Sequence, residues 1–94
     1  MYTNLFTGLV KDNNYENVAT LIEHELIPQF QKQQGWKGWR LVINQDNNKL
    51  AFLTYWYSKE DFLALAESGL LQEQLGKIYP LIDHSSKRDF FDLN

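Results

Sequence analysis

Leu50-Ala51-Phe52-Leu53-Thr54-Tyr55-Trp56-Tyr57 is the stretch that decides the fold. Its β-branched and aromatic content and its length predict a strand, Lys49–Tyr57. Leu50, Phe52, Thr54 and Trp56 point one way, and Ala51, Leu53, Tyr55 and Tyr57 the other. An antiparallel strand with one wet face alternates apolar and polar residues, and this one does not. Both faces therefore call for cover. Helices of a small domain cover one face. A second copy of the sheet is the simplest cover for the other. The alternative is a central strand whose tyrosine hydroxyls reach water while the rings pack.

Gln45-Asp46-Asn47-Asn48 precedes this strand, and Asn and Asp tolerate the left-handed backbone of a hairpin turn. Across the turn, Trp36–Asn44 reads as a strand, with Trp39, Leu41 and Ile43 on one face and Gly38, Arg40 and Val42 on the other. On the far side, Ser58-Lys59-Glu60-Asp61 has the spacing of a helix start, with Ser58 as N-cap and Asp61 reaching back. Phe62, Leu63, Leu65 and Ala66 carry a short helix, Ser68-Gly69 interrupts it, and Leu71, Leu75 and Ile78 define another that ends near Pro80.

Further out, Asn4–Lys11 reads as a first strand and Asp12-Asn13-Asn14 as a turn, with Asn13 and Glu16 spaced as a capping box. Val18, Leu21, Ile22, Leu26 and Phe30 recur at helical spacing. Pro28 falls inside that helix and predicts a kink or a second segment, and Gly35 suits its stop. Ser86–Leu93 reads as a last strand. The order β-α-β-β-α-β is the ferredoxin-like α+β arrangement: an antiparallel four-stranded sheet with both helices on one face.

Ninety-four residues make one domain, 1–94. A chain of this size buries only about 60–65% of its unfolded surface. Aromatics reach 15%, which suits a filled core, an aromatic-lined pocket or a subunit interface. A net charge of −3 without a basic stripe argues against nucleic acid. The absence of cysteine excludes disulfides, thiol catalysis and thiolate metal sites. Met1–Phe6 shows no cationic region leading into a long apolar run, so neither a signal peptide nor a membrane span is expected, and the cytoplasm is the expected location.

Two motifs carry a family resemblance. Gly35-Trp36-Lys37-Gly38 resembles the Gly-aromatic-x-Gly that opens the second strand of antibiotic-biosynthesis-monooxygenase-like proteins. Trp56-Tyr57-Ser58-Lys59-Glu60-Asp61-Phe62 resembles their Trp-x-Ser-x-Glu-Asp/Ala-hydrophobic signature between strand three and the second helix, and Ser68 matches a Ser that often precedes the last helix. The resemblance spans almost the whole chain in the right order. It implies a dimeric α+β barrel, a homodimer formed through the sheet, and a pocket between sheet and helices. It also implies a cofactor-independent oxygenase of a small aromatic or quinone-like molecule, with no cofactor. The alternative is a small-molecule-binding dimer without chemistry.

By the same resemblance Trp56 lines the pocket, with Thr54 and Phe52 beside it on one face; a core Trp is the alternative. Asn4 matches an Asn that haem-degrading members keep on strand one; the alternative is a solvated residue near the terminus. The His those members use on the second helix has no counterpart, since no His lies between Trp56 and His84, and this departure argues against haem degradation. The Asn that some cofactor-free oxygenases carry shortly before the Trp is also absent, residues 51–55 reading Ala-Phe-Leu-Thr-Tyr. His24, between Glu23 and Glu25, is either a general base near the pocket or a surface residue. With Pro at position 28 and no Cys, it cannot build the usual zinc site. His84 is expected in an exposed loop. Arg40, facing Thr54 or a neighbour across the hairpin, is either a holder for an anionic substrate group or a strand charge whose stem packs on a ring. Tyr55 and Tyr57 suit either a substrate oxygen or the dimer interface.

Overall fold

The structure is a computed structural model that describes residues 1–83 and 87–92. Four antiparallel strands, β1 (Tyr2–Leu9), β2 (Trp36–Asn44), β3 (Lys49–Trp56) and β4 (Lys87–Asp92), form one sheet in the order β2-β3-β1-β4. Between β1 and β2 run α1 (Tyr15–Leu21), a π-turn (Ile22–Leu26) and α2 (Ile27–Phe30). Between β3 and β4 run α3 (Lys59–Glu67) and α4 (Leu70–Leu75). This is the ferredoxin-like α+β topology. Of the last strand, Ser86 and Leu93 lie outside the described residues, as does His84.

Leu50, Phe52, Thr54 and Trp56 are sealed, whereas Ala51, Leu53 and Tyr55 are half-buried and Tyr57 is exposed. Register assigns the rest of each face. Tyr2 pairs with Trp56, Asn4 with Thr54 and Phe6 with Phe52, so these side chains share the sealed face. On β2, Leu41 and Ile43 join them opposite Phe52 and Leu50. The open face carries Leu53, Tyr55, Arg40, Val42 and Phe91, with Val42 51% and Phe91 49% exposed.

The first helical region buries Val18, Ile22, Leu26 and Phe30, each 0–1% exposed. Three steps of four residues drift about 120° around a pure α-helix. The π-turn widens the spiral and takes up this drift. Pro28 falls in the first turn of α2, directly after the π-turn, where its missing N–H costs least. The backbone stays helical from Leu21 to Gln31, so the proline sits in a wide turn rather than at a break.

Local expectations fail at the start of the first strand and at the cap of the first helix. The first strand starts at Tyr2, not Asn4, because Tyr2 still pairs with Trp56 and Asp92. The Asn13–Glu16 capping box does not form. Asp12 and Asn13 adopt left-handed backbone (φ 51° and 57°), the helix starts at Tyr15, and the Asn14 amide donates to the Lys11 carbonyl at 2.9 Å. Arg40 pairs with Leu53, the neighbour of Thr54, because the four-residue hairpin loop sets Asn44 against Lys49.

Candidate functional site

The two motifs meet at one corner of the molecule. The Tyr57 N–H donates to the Gly35 carbonyl at 2.7 Å. Gly35 has φ +85°, and a methyl group there would run into the Asp61 carboxylate. Asp61 is held in turn: its N–H donates to Ser58 Oγ at 3.2 Å, and the Ser58 hydroxyl donates to Asp61 Oδ2 at 3.0 Å. A bulge at Lys37 lets both Trp36 and Trp39 face the helices despite their odd spacing, since Trp36 pairs with Trp56 and Gly38 with Tyr55. Lys37 Nζ lies 5.6 Å from the Tyr57 ring centre. Most of the motif residues thus fix the strand-to-helix corner, and Trp56 and Phe62 are driven into the core.

Trp56 is completely enclosed. Its indole meets Trp36 edge-on at 5.3 Å and Phe62 at 6.0 Å. Phe30 extends this ring series beyond Trp36, at 6.4 Å. On the other side Phe62 meets Tyr2 at 5.8 Å and Phe90 at 5.4 Å. An aromatic wall therefore crosses the helix face from α2 to β4. Inside it, Trp56 Nε1 donates to Thr54 Oγ1 at 3.0 Å. Asn4, the cross-strand neighbour of Thr54, is 3% exposed, and its Oδ1 has no partner among the described residues. Burial, reinforced by the Asp92 carboxylate, pushes the Tyr2 phenol above the ordinary tyrosine range.

The structure brings Trp56, Thr54, Phe52 and Asn4 onto one buried face. It does not bring His24 or Arg40 to them. His24 is exposed on the π-turn, and Arg40 is exposed on the opposite face of the sheet. Tyr55 belongs to that open face and Tyr57 to the surface. A cleft of about 300 Å³ lies between Asn13–Asn17 and Gln45, and one of about 200 Å³ lies beside Gln33, Gln34 and Asp61. Neither is lined by Trp56. No cluster of three or more His, Asp or Glu side chains suited to a metal occurs among the described residues. No helix there is long and apolar enough to cross a membrane.

Sequence reasoning missed Tyr2, Phe90 and Gln74. Gln74 is 3% exposed on α4, and its Oε1 is unpartnered among the described residues. The signal was available: Leu71, Gln74, Leu75 and Ile78 follow one helical stripe, and a polar residue within such a stripe is buried by its neighbours.

No family profile matches this chain, and no curated protein matches it with significance. Solved structures do match. A proposed antibiotic biosynthesis monooxygenase from Bordetella bronchiseptica superposes with a TM-score of 0.82 at 12% identity, covering 99% of this chain and 96% of the other. A conserved protein from Methanosarcina mazei gives 0.81 at 14% identity, with 99% and 92% covered. SnoaB, a cofactor-independent oxygenase from Streptomyces nogalater, gives 0.79 at 15% identity, with 98% and 91% covered. The fold is the one these proteins share, and it is the fold that the two motifs implied.

Proposed function

We propose that this chain forms a homodimer that holds a small aromatic or quinone-like molecule against the Asn4–Thr54–Trp56 face and oxidises it with O₂ without a cofactor. The observation that carries the reading is Asn4: a sealed amide with an orphaned oxygen, set in a wall of aromatic rings. An unsatisfied buried polar group costs about 1–3 kcal/mol, which a purely structural position would have little reason to keep. A ligand hydroxyl placed there would satisfy it by donating to Asn4 Oδ1.

The chemistry asked of the protein is modest. A quinol substrate is itself the reductant for O₂, giving up two electrons and two protons to form the quinone and hydrogen peroxide. The site must bind its ring, hold its hydroxyl group and keep water out. Trp56 and Phe52 supply the apolar wall. Thr54 accepts the indole N–H and so keeps its own hydroxyl hydrogen for a ligand oxygen, and the Asn4 amide lies beside it. The open face, with Leu53, Tyr55, Val42 and Phe91, is the surface we assign to self-association.

Oxygen uptake over a panel of quinols and polyphenols tests the reading. The expected result is uptake with at least one compound, and a tenfold or larger loss of kcat/KM in Asn4→Leu and in Thr54→Val. Wild type inactive on every compound, or Trp56→Ala as active as wild type, contradicts it. A second reading, a binding dimer without chemistry, is favoured by one observation: the Trp56 N–H is spent inside the protein on Thr54. Tight binding of a panel compound with no oxygen uptake would select it.

A further inference from the structure

Among the described residues Asn4 is not the only enclosed amide whose oxygen has no partner: Gln74 Oε1 is the other. Topology limits where Gln74 lies, and α4 also packs against the π-turn Ile22–Leu26. β1 sits between β3 and β4, so the β3-α3-α4-β4 connection passes over β1. At one end of this crossover the Phe62 ring lies over Tyr2 at 5.8 Å, and at the other the Tyr79 ring lies over Phe6 at 6.2 Å. Asn4 stands between Tyr2 and Phe6 on that same face. The buried side chains from Phe62 to Tyr79 are Phe62, Leu65, Leu71, Gln74, Leu75 and Ile78. Gln74 is the single polar one among the described residues of that stretch.

We infer that Gln74 faces Asn4 across the layer between α4 and β1 and is a specificity-determining contact of the ligand site. The inference rests on reading this face as a ligand site. Two amide oxygens without donors, beside an indole N–H already used by Thr54, form an acceptor-rich pole in an aromatic enclosure. Such a pole favours a ring that carries a hydroxyl group over the same ring without one. A hydroxyl donates to the bare oxygen, whereas a methoxy group leaves it unpaired and buried. The ligand class is therefore a hydroxylated aromatic, the reduced rather than the quinone form.

Equilibrium dialysis of the full chain with 1-naphthol and with 1-methoxynaphthalene tests this. Wild type is expected to prefer 1-naphthol at least tenfold. Gln74→Met keeps the length of the side chain and removes its polar atoms. It is expected to cut the preference below threefold, to leave 1-methoxynaphthalene binding within twofold of wild type, and to melt no lower than wild type. An unchanged preference in Gln74→Met overturns the inference while the site stands. So does a variant that melts well below wild type, because the amide would then be bonded within the fold. Failure of both probes to bind wild type overturns the site itself, and this inference with it.

Discussion

Thr54 takes the Trp56 N–H at 3.0 Å in a place closed to water, so neither residue is replaceable alone. Thr54→Val would leave a buried indole donor unpaired at a cost of about 1–3 kcal/mol. Trp56→Phe added to it should recover part of that loss. Urea denaturation of both singles and the double should give a coupling energy of about 1 kcal/mol, and additive losses would show that the bond contributes nothing. Two pairs of identical spacing illustrate what was legible at this scale. Ser58 with Asp61 was readable and forms, because an extended Ser58 (φ −147°) leaves its oxygen over the first turn. Asn13 with Glu16 read the same way and does not form, because Asp12 and Asn13 turn left-handed and Asn14 takes the cap position. Ser58→Ala should therefore cost about 1 kcal/mol in the same assay. Tyr2 adds a pH dependence. Its raised phenol stabilises the fold fully below the ordinary tyrosine value of 10.0, and the unfolded chain ionises first as pH climbs past it. Stability should fall above pH 10, and it should fall less steeply in Tyr2→Phe. Equal slopes would mean that Tyr2 does not ionise differently in the folded state.

The elements were largely legible because their signals are local. β2 matches its expected bounds, and β3 differs by one residue, since period-two patterns and an Asn-rich turn are strong signals. Pro28 announced an irregularity in the first helix but not its form. A π-turn depends on what Ile22, Leu26 and Phe30 pack against, which no local rule reads. The Lys37 bulge escaped for the same reason. Helix boundaries supply a test that separates two kinds of glycine. Gly69 (φ +84°) breaks α3 from α4 in open space, and Gly35 (φ +85°) sits against Asp61. Gly69→Ala should cost only the left-handed backbone penalty, about 1 kcal/mol. Gly35→Ala should cost roughly 1–3 kcal/mol more, because overpacking adds to the same penalty. Thermal denaturation of the two variants checks this, and equal losses would mean that Asp61 moves aside freely.

For the whole molecule, the reading of Leu50–Tyr57 has become specific. Its Trp56 side is sealed under helices and carries the candidate site. Its Leu53–Tyr55 side is half-buried and flanked by exposed Val42 and Phe91. The site itself was half legible. Trp56, Thr54, Phe52 and Asn4 do share a face. His24 stands apart because helix phase turns it to the surface, and Arg40 because strand alternation puts it on the open face. The central claim is that one face serves a ligand and the other serves a second copy, and sedimentation equilibrium at micromolar concentration tests it most directly. The account predicts a wild-type dimer and a Leu53→Lys variant that sediments as a monomer while keeping its far-UV circular dichroism. A wild-type monomer at tens of micromolar, or a dimer untouched by Leu53→Lys, would contradict it.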